Sequence, residues 1–178
     1  MWEWPGRSGA EQLRLWPVLA ELVRRIEARD GLFAGAILMG SLVDGRGDDL
    51  SDVDMLAVVH EGRFAYAWAA RAELSAGALY AWDQVEGEDR EVAGRKWLTR
   101  DLIKVECLIA TPSSGMRLAE PIAVVAGDPS LPDRFTRIGP IPREEIEAYA
   151  RDLRDTGKVH EVEARYADLK ATLRRLRT

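Results

Sequence analysis

Apolar residues recur along this chain in two rhythms, one helical and one of strands. Near the start, Leu13, Trp16, Leu19, Val23 and Ile26 return every three or four residues, the spacing of a helix with one buried face. Ser8 and Glu11 ahead of them form a candidate capping box. Pro17 reads as either the first helical residue or a kink, and Gly31 as the stop. Short apolar runs predict strands over Gly35 to Gly40 (GAILMG), Val53 to Val59 (VDMLAVV) and Leu79 to Val85 (LYAWDQV). A helix over Phe64 to Leu74, with Phe64, Trp68 and Ala72 inward, separates the second from the third. RKWLT and LIKVECLIA flank the polar join Arg100-Asp101, which predicts an antiparallel hairpin. PIAVVAGDPS reads as a strand ending in a turn at Gly127, Asp128 and Pro129.

The rhythm changes after Pro132, Pro140 and Pro142, which mark a loop or boundary. Ile146, Tyr149 and Leu153 then define a helix over Arg143 to Arg154. A last helix carries Val159, Val162, Tyr166, Leu169, Leu173 and Leu176, a seam like that of a coiled coil. The seam has two readings: an apolar face lying on this protein's own core, or a surface for a homodimer or a helical protein partner. Mixed helices and strands predict an α/β (α+β) fold, a mixed sheet flanked by helices, with a short C-terminal helical region. The expected division is residues 1–139 and 140–178.

Composition narrows the class. The chain has 178 residues, 47% of them hydrophobic, enough for one ordinary domain core. A net charge of -5 argues against a nucleic-acid partner bound through a basic surface. The single cysteine, Cys107, lies in an apolar run and cannot form an internal disulfide, which fits a reducing compartment. No apolar stretch approaches the ~20 residues that span a bilayer, and the first residues lack the pattern of a signal peptide. A cytoplasmic protein with no membrane partner is expected.

The chemistry concentrates in MGSLVDGRGDDLSDVDMLAVV, Met39 to Val59. Side chains alternate along a strand, so Asp52 and Asp54 share a face, with Cα atoms about 6.5 to 7 Å apart. Two carboxylates this close repel unless a cation lies between them. Magnesium suits one or two carboxylates together with phosphate oxygens and water. Gly40-Ser41 follows a strand directly and offers an open backbone to a phosphate. In LIKVECLIA the alternation puts Lys104, Glu106, Leu108 and Ala110 on one face. Glu106 is the lone acid in a run suited to burial, so it needs a partner. The partner is a metal, or a basic group such as Lys96, Lys104 or an arginine.

These residues resemble the signature of the DNA polymerase beta-like nucleotidyltransferases: Gly40, Ser41, Gly45, Ser51, Asp52, Val53 and Asp54, with Glu106 as the further acid on a later strand. The chain departs from many small members in having Asp44 where they carry an arginine, with Arg46 nearby as a substitute. The resemblance implies transfer of a nucleoside monophosphate from an NTP, ATP first, to an acceptor hydroxyl. It assigns Asp52, Asp54 and Glu106 to catalysis and to two Mg²⁺ ions, and Gly40, Ser41, Arg46 and Ser51 to the nucleotide. The implied acceptor is a small molecule, such as an aminoglycoside- or lincosamide-like antibiotic. The alternative is a minimal nucleotidyltransferase antitoxin that binds, and in some cases modifies, a helical toxin.

Further features have a bland reading beside a functional one. The acids Asp83, Glu86, Glu88, Asp89 and Glu91 form either a solvated loop or a field for a cationic acceptor. Of six tryptophans, Trp82 and Trp97 lie near the proposed site strands, as packing or as a stacking surface. His60 and His160, far apart in sequence, read as surface residues rather than a metal pair.

Overall fold

The computed structural model describes residues 14–85 and 91–176. The chain falls into two compact units, Met1–Gly139 and Pro140–Thr178. The fold is mixed α+β, as the alternating rhythms predict.

The first unit is built on a six-stranded sheet. Its strands are β1 (Phe33–Met39), β2 (Val53–Val59), β3 (Tyr80–Val85), β4 (Val92–Leu98), β5 (Lys104–Ala110) and β7 (Ala123–Gly127), in the spatial order β3-β4-β5-β2-β1-β7. β2 and β5 run parallel, and the other neighbours are antiparallel. β4 and β5 form the expected hairpin, closed by a turn in which the Leu102 and Ile103 amides donate to the Thr99 carbonyl and hydroxyl. Two three-residue strands, β6 (Arg117–Ala119) and β8 (Thr136–Ile138), make a small parallel sheet that the apolar pattern does not announce. Three residues are too few to establish a period.

Helices cover one face of the large sheet. α1 (Trp16–Glu27) begins with Pro17 at its start, so the proline opens the helix and does not kink it. Its buried residues are Leu19, Leu22 and Ile26, with Leu15 just ahead of them; Leu19 and Ile26 belong to the line read from the sequence, and Leu22 takes the place of Val23. Trp16 and Val23 pack at its margin. The helix ends at Glu27, capped by the Ala28 amide donating to Arg24, four residues before Gly31. The helix expected over Phe64 to Leu74 is two short pieces, α2 (Phe64–Ala69) and α3 (Arg71–Leu74). Phe64 and Trp68 do pack inward, as read, and stack on each other with centroids 6.5 Å apart, whereas Ala72, beyond the break between the two pieces, is exposed. Beneath these helices lie Val53, Met55, Ala57 and Val59 of β2 and Val105, Cys107 and Ile109 of β5, all fully buried.

The opposite face is apolar at one end only. There Ile37, Leu56, Val58 and Ala110 pack with Leu118, Leu131 and Phe135. Both faces of β2 are thus covered over most of its length, which is why VDMLAVV reads as a near-continuous apolar run. At the other end of this face the side chains turn polar, and that end carries the candidate site.

In the second unit, α4 (Arg143–Asp155) follows Pro142, and α5 runs from Glu161 to Leu176. α4 buries no residue: Ile146 and Tyr149 are 54% and 59% exposed. On α5 Tyr166 is buried, while Leu169, Leu173 and Leu176 of the same seam are exposed. Among the described residues no helix is long and apolar enough to cross a membrane.

Candidate active site

Register builds the site. Met39 of β1 pairs with Asp54 of β2, Asp54 with Glu106 of β5, Glu106 with Lys96 of β4, and Lys96 with Trp82 of β3. These five residues form one row across the sheet, at strand spacings of about 4.8 Å. Lys104 stands two residues before Glu106 on the same face of β5, with Asp52 at the mouth of β2 beside it. The next row on the other side is Ile37, Leu56, Leu108, Gly94 and Gln84, and it begins the apolar half of the face.

The expected convergence of Asp52, Asp54 and Glu106 on one face is present. What lies between the carboxylates was only one of the open possibilities. Lys104 Nζ lies 3.4 Å from Asp52 Oδ2 and 3.6 Å from Glu106 Oε2. Lys96 Nζ lies 3.1 Å from the same Glu106 oxygen. The lone acid of the β5 run is thus met by both lysines. Their side chains are 9% and 11% exposed, against 28% for Glu106 and 20% for Asp52. Burying a lysine is costly unless it is paired, and the carboxylates supply that pairing.

Among the described residues no group of three or more His, Cys, Asp or Glu side chains is placed to hold a metal ion. The Lys104 ammonium stands between Asp52 and Glu106. Asp52 and Asp54 nevertheless offer the donor set that magnesium takes, hard carboxylate oxygens with room for phosphate and water. Asp54 lies against the turn that follows β1. A Cβ placed on Gly40 would come within 2.6 Å of Asp54 Oδ2, so only glycine lets the carboxylate rest on this backbone. Gly40 also has φ +73°, a left-handed conformation.

The Gly40-Ser41 turn is open: Gly40 is exposed and Ser41 partly so. It is a single 3-10 turn, Gly40–Leu42, closed by the Val43 amide donating to Gly40, and not the start of a longer helix. Arg46, assigned by resemblance to the nucleotide, is latched to Asp44. Its Nε donates at 2.8 Å, a second guanidinium nitrogen reaches the same oxygen, and its backbone N–H donates to the other at 2.9 Å. This arginine holds the Asp44 carboxyl below its usual range. Asp44 and Arg46 are therefore paired with each other inside one loop. Ser51 lies 5% exposed beneath that loop. Its hydroxyl donates to Asp48 Oδ1 and accepts from the Asp48 amide, both at 2.9 Å, so it shapes the approach to Asp52.

The aromatic candidates separate. Trp97 is in the helix-covered core, and Trp82 is 6% exposed on the site face. Tyr80, two residues along, stands 45% exposed with its ring centroid 6.0 Å from that of Trp82. Sequence reasoning overlooked Tyr80, whose signal is alternation along β3.

Of the acid-rich segment, the two described acids are each engaged within the chain. Asp83 takes Arg95 at 2.7 Å and Arg71 at 2.9 Å, and Glu91 accepts from the Thr111 hydroxyl at 2.7 Å. Glu86, Glu88 and Asp89 lie outside the described residues, as do Ser8, Glu11 and Leu13. The histidines do not pair. His60 Nε2 bonds the Asp30 carbonyl, and His160 accepts the Val162 amide at the start of α5.

No protein-family model matches this chain, and no curated protein does so either.

Proposed function

We propose that this protein is a magnesium-dependent nucleotidyltransferase that moves a nucleoside monophosphate from an NTP, ATP first, to a hydroxyl of a small acceptor. The observation that carries the reading is the placement of Asp52, Asp54 and Glu106 on one sheet face, beside the exposed Gly40-Ser41 turn. Magnesium, when bound, neutralises phosphate charge and steadies the departing pyrophosphate. Asp52 and Asp54 hold it. The Gly40-Ser41 turn gives the phosphates a close approach to backbone. Glu106 accepts a hydrogen bond from the acceptor hydroxyl and aims its oxygen at the α-phosphorus. As that oxygen bonds to phosphorus, the bond to the bridging oxygen breaks, pyrophosphate leaves and the hydroxyl proton is released. The residues contribute mainly placement and charge.

The test is a panel of labelled NTPs with Mg²⁺ and candidate acceptors, aminoglycosides and lincosamides among them. Transfer of label to a small molecule, lost in Asp52→Asn, supports the reading. Wild-type turnover in Asp52→Asn overturns the assignment of the site.

A second reading keeps the chemistry and changes the acceptor: an antitoxin that binds, and modifies, a helical protein. It is favoured by α4, whose apolar residues Ile146 and Tyr149 stand in the open. Label appearing only on a co-purified polypeptide would select it.

A further inference from the structure

Lys104 lies between two of the carboxylates the proposed reaction needs. Its ammonium is 3.4 Å from Asp52 and 3.6 Å from Glu106, on a side chain only 11% exposed. Lys96 holds Glu106 from the other side at 3.1 Å. Three carboxylates and two ammonium groups leave this face one negative charge from neutrality. A divalent ion approaching Asp52 therefore meets a lone pair already directed at an ammonium and a positive charge a few ångströms away.

We propose that Lys104 is a resident counter-cation of the site, which a divalent metal must displace from Asp52 in order to bind. The inference rests on the reading of Asp52 and Asp54 as metal ligands, though not on transfer activity. Lys104 is a positioning residue on this account. In the metal-free chain it holds Asp52 and Glu106 together against their mutual repulsion, and it sets the metal affinity by competition. Lys96 keeps Glu106 paired when Lys104 moves away, so Glu106 retains a cation in both states.

The test measures Mn²⁺ binding to the full chain without nucleotide, by the loss of the free-ion electron paramagnetic resonance signal. Lys104→Met keeps the length of the side chain and removes its charge. It is expected to bind Mn²⁺ roughly tenfold or more tightly than wild type, since both the occupied lone pair and the repelling charge are gone. Its melting temperature should be lower without metal, and should rise more on adding Mn²⁺ than that of wild type. Lys104→Arg keeps the charge and should bind like wild type. Asp52→Asn should remove the Mn²⁺ binding in either background. Unchanged or weaker binding by Lys104→Met, or binding by Lys104→Arg as tight as that of Lys104→Met, overturns the proposal, and so does absence of Mn²⁺ binding in every variant. Tighter Mn²⁺ binding with no transfer to any acceptor would leave this inference standing while the proposed reaction falls.

Discussion

Asp54 rests its carboxylate on the bare Cα of Gly40, so closely that a methyl group there would fall 2.6 Å from Oδ2. The pairing joins the end of β1 to the acid pair of β2, and it leaves no space for any other residue at position 40. Gly40→Ala must both adopt φ +73° and push Asp54 aside. A loss of about 1 to 3 kcal/mol is expected in urea unfolding. Turnover, measured where the variant is still folded, should fall roughly a hundredfold, because the displaced group is a proposed ligand.

Asp54→Asn separates charge from shape. The amide fits the same space, so the melting temperature should stay within a few degrees of wild type. Activity should drop by about two to three orders of magnitude, the scale on which groups that stabilise transition-state charge act. Parallel thermal melts and single-turnover assays check the two halves of this expectation.

Acid should weaken the β3 edge through Asp83. Partial burial pushes its carboxyl up, but bonds from Arg71 and Arg95 outweigh that and hold it below the usual range. A group with a depressed folded value contributes stability above its unfolded value, about 3.9, and loses it as pH falls through the folded one. Asp83→Asn should therefore cost roughly 1 to 2 kcal/mol at pH 7. The gap between variant and wild type should narrow as pH falls below the unfolded value. Melting curves from pH 7 to pH 3 measure it, at about 2 to 4 °C per kcal/mol for a chain of this size.

Cys107 should be inert in the native protein. It is fully buried under the helices, and burial pushes its thiol up to about 12. A thiol-specific disulfide reagent at pH 8 should find no reactive thiol per folded chain and one after denaturation. Prompt reaction in the native state would contradict the packing of β5 against α2.

Much of the candidate site was legible because strands alternate. Period two alone put Asp52 with Asp54 and Lys104 with Glu106, and the apolar residues between them fixed which face was core. The partner of Glu106 was legible only as a set of options. Choosing Lys96 requires the register of the β4–β5 hairpin, which its turn geometry sets. Helix faces were harder. On α1, Val23 and Leu22 are both apolar, and only the sheet beneath decides that Leu22 is the buried one. The role of Asp83 was hidden, since its partner Arg71 comes from a helix earlier in the chain. Arg46 looked available to a nucleotide because nothing in the sequence tells that Asp44 turns back to meet it.

The parallel pairing of β2 with β5 also bears on how the chain goes wrong. Moving β5 along by a single residue would exchange its two faces. A slip in one direction would stand Cys107 beside Asp54 and drive Glu106 into the helix-covered core. Such a misaligned molecule would carry a thiol where its ligands belong, making quantitative thiol labelling of freshly refolded protein a direct count of chains that closed in the wrong register.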